Sequence, residues 1–351
     1  MDPITHLMTG AVLARAGFNR KAAYATVAMI LAAELPDLDT LWAIQGPVAA
    51  FQHHRGWTHT LIGLPLEAAV VVGTIWLFHR WRLQRNQPPK QAAPIRWDLL
   101  YGFALIALLS HLLLDWTNSY GLRPFFPFNP RWYAGSLVFI VEPVMILLLL
   151  IALVAPALFG LINSEVGARR PAFRGRGWAI AALLAIVALW GWRAVEQQNA
   201  IRLALNTDFG APILHVTAEP SPINPFRWEA IVETPTFYQL VAVNTFNDTT
   251  ATNEHADIFY KPPTTLATLV AKRSWLGQIY LDWSKLALVT QTDIDPITGA
   301  TTVTFRDLRF MYDTPFTHGR TDPQNPPLSG KVILNADRRI TRMEMDGHVQ
   351  Q

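Results

Sequence analysis

Glu34-Leu-Pro-Asp37-Leu-Asp39 and His53-His54-Arg55-Gly56-Trp57-Thr58-His59 place three carboxylates and three histidines within 26 residues. The surrounding chain is mostly Ala, Leu, Ile and Val. Imidazole with carboxylate suits zinc, and after it manganese or iron, better than soft copper or an all-oxygen calcium cage. A second element, Ser110-His111-Leu-Leu-Leu-Asp115, ends another apolar segment. On a helix His111 and Asp115 share a face, being four residues apart. Two such clusters at the edges of hydrophobic segments point to one divalent-metal site assembled at a membrane surface.

The candidates differ in weight. Adjacent histidines point apart, so one of His53 and His54 is the ligand, and the spacing to His59 favours His54. Asp37 and Asp39 have a plainer reading as helix caps or loop solvators; beside the histidines both become site candidates. The His111/Asp115 pair has its own plain reading, a hydrogen bond inside a helix bundle. An ionisable group inside a spanning helix costs about 2.5–3.5 kcal/mol unless compensated, and metal coordination compensates both members at once. Glu67 and Glu142 lie inside apolar segments and are secondary candidates with His53; a protonated or structurally paired carboxyl is the alternative. Arg55 carries a permanent charge on a planar fork, suited to an anion or phosphate and equally to lipid headgroups. His79 reads as a membrane-edge residue, and the scattered His215, His255, His318 and His348 receive no role.

These residues must be positioned by a largely apolar chain. Of 351 residues 51% are hydrophobic and 16% charged, and none is cysteine, which excludes disulfides and thiolate metal sites. Residues 1–200 hold 16 Lys/Arg against 10 Asp/Glu, and the remainder 13 against 16. The basic excess therefore lies in the apolar half, where it reads as membrane topology and not as a nucleic-acid footprint. Met1-Asp2-Pro3 lacks a basic leader, so no cleaved signal peptide is expected.

Residues 4–17 and 22–34 are short apolar segments, each about 20 Å long as a helix against a hydrocarbon thickness of about 30 Å. They form a hairpin that returns His6 to the level of Glu34 and Asp37, and Pro36 ends the second helix. Residues 60–79, 98–116, 137–162 and 177–195 are the further spans. Basic loops follow, one with Arg80, Arg82, Arg85, Lys90 and Arg96, the other with Arg169, Arg170, Arg174 and Arg176. The aromatic loop 116–135 has the rings of a membrane interface. With basic loops in the cytoplasm, about six crossings put the two ligand clusters and everything after residue 196 on the outer face.

Beyond residue 200, Val232–Phe246, Thr301–Tyr312 and Gly330–Met345 have strand composition, and residues 264–288 read as one or two helices. The apolar phase shifts between Phe305 and Leu308, which predicts a bulge. Asn335-Ala-Asp337-Arg338 reads as a hairpin turn. The expected fold is thus a polytopic α-helical membrane bundle over residues 1–198 with a small strand-rich α+β soluble domain over 199–351.

Thr5-His6, Glu34-Leu-Pro-Asp37-Leu-Asp39, His54-Arg55-Gly56-Trp57-Thr58-His59 and Ser110-His111-Leu-Leu-Leu-Asp115 together resemble the bacterial membrane-bound, metal-dependent hydrolase family (YdjM-like), over roughly residues 1–165. Asn224-Pro-Phe-Arg-Trp228 and Asp307-Leu-Arg-Phe310 look like the tail of its longer members. Where the resemblance leads one to expect Asp-Pro in the fourth span, this chain has Glu142-Pro143. The ligand pattern is similar to that of zinc-dependent phospholipases C. The resemblance therefore implies that His6, Asp37, His54, His59, His111 and Asp115 share two or more ions.

The resulting expectation is a bacterial inner-membrane hydrolase that cleaves a phosphoester of a lipid or lipid-linked substrate with metal-activated water. Glu34 or Asp39 is the general base or a supporting group, and Arg55 receives the anion. No Gly-x-Ser-x-Gly elbow or Cys/His arrangement competes. Two other classes compete: a scaffold with a structural metal site whose outer domain binds a protein partner, and a metal or proton transporter using Glu67 and Glu142.

Overall fold

Asp2 starts the first helix. Its carboxylate accepts from the Thr5 backbone N–H at 2.9 Å and from the Thr5 hydroxyl at 2.6 Å, and Pro3 fills a first-turn position where a missing N–H costs nothing. Helix α1 (Pro3–Arg15) packs on α2 (Ala25–Glu34) through small side chains. A Cβ on Gly10 would lie 2.6 Å from the Met29 carbonyl oxygen and 3.0 Å from the Ala33 Cβ, so only glycine permits this approach. In the computed structural model all residues are described except 87–92, 166–172, 253–256, 293, 312, 315–318, 321–325 and 351. Lys90, Arg169, Arg170, His255, Tyr312 and His318 lie outside the described residues.

After α2 the chain tightens into a 3-10 helix over Leu35–Gln45, beginning at the residue before Pro36. There follow α3 (Pro47–His53), a 3-10 turn Trp57–His59, α4 (Leu64–Gln84), α5 (Trp97–Trp116), α6 (Pro143–Glu165) and α7 (Arg176–Leu205). By length and composition, α5 and α7 can cross a membrane, and Pro47–His59 with α4 makes a third if that bent pair is one span. Pro143–Phe159 is a shorter apolar helix. Two or three candidate spans among the described residues is fewer than the six apolar crossings expected. The reason is length: α1 and α2 have 13 and 10 residues, well short of the roughly 20 that a span needs.

The strand-rich part begins with β1 (His215–Pro220), β2 (Arg227–Glu233), β3 (Phe237–Asn244), β4 (Thr249–Ala251) and β5 (Ile258–Tyr260), an antiparallel sheet of order β1-β2-β3-β4 with β5 also on β3. Helices α8 (Leu266–Lys272) and α9 (Trp275–Trp283) follow. Then come β6 (Ala287–Gln291), β7 (Thr301–Asp307), the small pair β8 (Asp313–Thr314) and β9 (Gly319–Arg320), β10 (Gly330–Leu334), β11 (Ile340–Met345) and β12 (His348–Val349). The second sheet has order β12-β11-β10-β7-β6. Along β10, Gly330, Val332 and Leu334 are buried while Lys331 and Ile333 are less so, the period of two that a half-buried strand requires.

Two strand expectations change. The run 232–246 is the end of β2 and all of β3, separated at Thr234-Pro235, where Thr234 N–H donates to the Phe237 carbonyl at 2.9 Å. The phase break after Phe305 is not a bulge: β7 ends at Asp307 and Leu308–Phe310 form a 3-10 turn. The register shift falls instead between Ile333 and Leu334.

The chain divides into two compact units, Met1–Asp39 with Arg55–Ala194, and Thr40–His54 with Val195–Gln351. In the first, α2, α4 and α5 share one apolar core around Met29, Leu100 and Leu108, while α1, α6 and α7 share another around Val12, Met145 and Leu149. In the second, the last turns of α7 pack Ala200 and Ala204 against Trp228, Val232 and Val241. Residues 40–54, read from the sequence as part of the membrane domain, fold with the strands.

Candidate metal centre

α5 supplies two donors, His111 and Asp115, both fully buried. Asp37 comes from the 3-10 helix after α2 and His59 from the turn before α4. One donor atom from each of these four residues lies within 4.8 Å of all the others.

Ring orientation decides what these atoms can do. The His111 Nδ1 lies 2.7 Å from the Ala33 carbonyl oxygen. Only an N–H can meet a carbonyl, so Nδ1 carries the proton and Nε2 presents its lone pair. The His59 Nδ1 faces Asp39 Oδ2 at 3.3 Å, with the Thr58 hydroxyl at 3.0 Å. The two Nε2 atoms therefore meet, 3.1 Å apart. Asp37 Oδ1 lies 3.4 and 3.6 Å from them, and Asp115 Oδ2 lies 3.2 and 3.5 Å.

Asp115 Oδ2 is buried and makes no well-aligned hydrogen bond, its nearest polar neighbours being the two Nε2 atoms. An unsatisfied carboxylate oxygen at that depth is costly, and a cation among the four donors satisfies it. A proton on one Nε2 relieves part of the crowding of lone pairs; a divalent ion held by all four donors would relieve the rest and displace that proton. Two imidazoles and two carboxylates form a zinc-type donor set. Burial works against the charge of Asp37, but a hydrogen bond with His59 and the nearby His111 outweigh it and hold its carboxyl at about 2. Asp37 is thus ionised at any biological pH.

The other oxygen of Asp115 is held separately. Arg55 Nη2 donates to Oδ1 at 2.7 Å, while Nη1 donates to the Gly121 carbonyl at 2.8 Å and to Asn118 Oδ1 at 3.3 Å. The guanidinium lies 4.8 Å over the Tyr120 ring and is 4% exposed, so it is turned inward to Asp115. His6 stacks on His111, ring centroids 3.8 Å apart, with its Nε2 3.3 Å from Asp115 Oδ1. The Met1 amino group contacts the same oxygen and lies 3.1 Å from the His6 Nε2.

The structure thus gathers His6, Asp37, Asp39, Arg55, His59, His111 and Asp115. His53 and His54, at the end of α3, fall in the other unit and are not in the four-residue donor group; His53 stacks on Trp42 at 4.0 Å. Glu34 Oε1 and Glu67 Oε2 are buried without a hydrogen-bond partner, at the end of α2 and the start of α4, and neither is in the donor group. Glu142 pairs with Arg193 at 3.0 Å, both fully buried. Arg193, Asn118 and the Ala33 carbonyl escaped the sequence reading. Only Arg193 carried a visible signal, a charge inside an apolar run.

The profile of the family described as YdjM inner membrane protein matches residues 1–200. The chain belongs to that family. Every residue of the donor group lies within the family's matched region. The Bacillus subtilis (strain 168) protein described as uncharacterized protein YfhP is 24% identical over 151 residues, 41% of this chain and 42% of that protein. The chain thus matches less than half the length of this curated relative. No solved structure matches the chain.

Proposed function

We propose that this inner-membrane family member is a metal-dependent hydrolase acting on a phosphoester of a lipid or lipid-linked substrate. The convergence of Asp37, His59, His111 and Asp115 on one point, with an unsatisfied oxygen of Asp115 among them, carries the reading. The donor set fits zinc, with manganese or iron as alternatives. When bound, such an ion supplies Lewis acidity and an activated water.

The remaining work belongs to the chain. Ala33 and Asp39 fix the two rings so that both Nε2 atoms would face a bound ion. Arg55 holds Asp115 Oδ1 and leaves Oδ2 available as a ligand. His6, against Asp115 and His111, would be a further ligand if a second ion were held. Glu34, three residues from Asp37 with an unpartnered oxygen, is the candidate general base. The basic residues Arg80, Arg82, Arg85 and Arg96, with Arg174 and Arg176, support an orientation in which the site faces the extracytoplasmic side.

One observation favours a second reading. Four protein donors can close a tetrahedral ion completely, as in structural zinc sites. The protein would then be a scaffold whose strand-rich unit binds a partner.

The test is elemental mass spectrometry of detergent-purified protein beside His111→Ala and Asp115→Ala, followed by a phosphoester screen. Stoichiometric zinc or manganese, lost in both variants, with turnover lost in parallel, is the expected result. Stoichiometric metal without turnover on any phosphoester selects the scaffold. Metal content unchanged by both substitutions removes these residues as ligands.

A further inference from the structure

Helix α4 begins just after the turn that carries His59 and ends at Gln84, about 30 Å farther on at 1.5 Å per residue. Near that far end, Phe78, Trp81, Arg82 and the C-cap residue Arg85 follow at i, i+3, i+4 and i+7, so they share one face. The Phe78 and Trp81 rings stack, centroids 5.8 Å apart and planes at 27°. The Arg82 guanidinium lies 5.9 Å from the Phe78 centroid, and that of Arg85 lies 4.5 Å from the Trp81 centroid. Two cations thus stand side by side, each on an aromatic ring that fixes it without opposing its charge. Like charges three residues apart repel, and an anion between them removes the repulsion.

The surrounding charge is one-sided. From Ala68 to Trp97 the sequence carries four arginines, one lysine and neither Asp nor Glu. Arg80, 5.1 Å over the Trp76 ring, adds a third cation on another face of the same turn. Back along the helix from the pair, the surface is apolar. Val70, Leu77, Phe78 and Trp81 are exposed, and Thr74 among them turns its hydroxyl back to the Val70 carbonyl at 2.8 Å. From Val70 to Arg82 this column runs about 18 Å, against about 15 Å for half of a hydrocarbon core. Cations at a helix C-terminus have a plainer use in meeting its dipole. That use does not account for paired arginines on stacked rings at the head of an apolar column one leaflet deep.

We propose that this face of α4 binds an anionic phospholipid, with Arg82 and Arg85 on the headgroup phosphate and the chain beside Leu77 and Val70. A guanidinium meets phosphate oxygens with a planar fork of N–H donors, and the stacked rings hold both forks ready. Phe78 and Trp81 lie between charge and chain, at the level where aromatic rings favour the membrane interface. A zwitterionic headgroup would bring its own cation against Arg80 and the pair; phosphatidylglycerol brings none. A lipid held here anchors the far end of α4 in the headgroup layer. The site neither supplies nor needs a ligand of the metal centre, so it goes beyond the hydrolase reading and does not depend on it.

The experiment is native mass spectrometry of the full chain released from detergent micelles, titrated with phosphatidylglycerol or phosphatidylcholine of matched acyl chains. The variants are Arg82→Gln/Arg85→Gln, Arg82→Lys/Arg85→Lys and, as a control that removes the same charge from another element, Arg20→Gln/Lys21→Gln. Wild type should hold phosphatidylglycerol more tightly than phosphatidylcholine. The glutamine pair at 82 and 85 should lose roughly ten- to thirtyfold in phosphatidylglycerol affinity, the loss of two cationic contacts to an anionic headgroup. The lysine pair keeps the charge but not the fork, so its loss should be smaller, and it stays informative if the glutamine pair fails to fold. The control should match wild type. Equal affinity for the two lipids, or a glutamine pair that binds as wild type does, overturns the proposal. An equal loss in the control reduces the effect to net charge and overturns it too. Displacement of the lipid by inorganic phosphate would show a simple anion site and end the lipid assignment.

Discussion

At the scale of single residues, the site depends on which nitrogen of each histidine is already engaged. His111 was legible because helix geometry ties it to Asp115 at four residues' spacing, and both prove to face one point. Whether His53 or His54 joins His59 could not be decided in the same way. The stretch 53–59 is not one element: α3 ends at His53 and a 3-10 turn begins at Trp57. Spacing along it carries no information about facing. Asp39 follows the same logic, since its role comes from touching the far side of His59, which no spacing rule encodes. Asp39→Asn keeps the four donors but replaces the carboxylate that orients His59 and closes onto the Arg55 N–H. Its zinc affinity, measured by chelator competition, should fall roughly ten- to hundredfold, with stoichiometry at saturating zinc unchanged. An unaltered affinity would separate Asp39 from the site.

Among the elements, the α1–α2 hairpin does the positioning. It carries His6 on one arm and, on the other, the Ala33 carbonyl that fixes His111. The two short apolar segments and the break at Pro36 were readable from composition and from proline's effect on the residue before it. The depth of the contact was not, because it depends on a missing side chain at Gly10 meeting a backbone oxygen of Met29. Gly10→Val should force α1 and α2 apart, costing about 1–3 kcal/mol as an overpacked core does. It should also draw the Ala33 carbonyl away from His111. A lower unfolding temperature in detergent together with reduced metal content is the expected outcome; a fall in temperature with full metal content would uncouple the hairpin from the site. In the strand-rich unit, composition located β3, β7, β10 and β11 but missed β1, most of β2, and β4 to β6, and it overran strand ends at Thr234-Pro235 and Asp307, where side-chain-to-backbone bonds stop the ladder. Such bonds compete locally with sheet pairing and leave no trace in hydrophobic period.

For the molecule as a whole, the packing of residues 40–54 with the strands was hidden because linear order sets them inside the ligand motif, while their partners Tyr280, Trp283 and Gln350 lie more than two hundred residues on. The buried charges of the helical unit pose a different question, whether they conduct or support. A transport path needs a carboxylate that exchanges its proton or ion. Glu142 instead faces Arg193 at 3.0 Å, both without exposed surface, so each charge is balanced in place. Removing one partner leaves the other buried and uncompensated, at a cost of about 3–5 kcal/mol, whereas replacing both by apolar groups is close to neutral. Glu142→Leu and Arg193→Met should therefore each lower the unfolding temperature sharply, the double variant should recover most of the loss, and all three should keep their metal. Thermal unfolding in detergent and elemental analysis read both quantities. A Glu142→Leu protein that unfolds at the parental temperature but abolishes ion flux in vesicles would reverse the assignment and make this pair part of a conduction path.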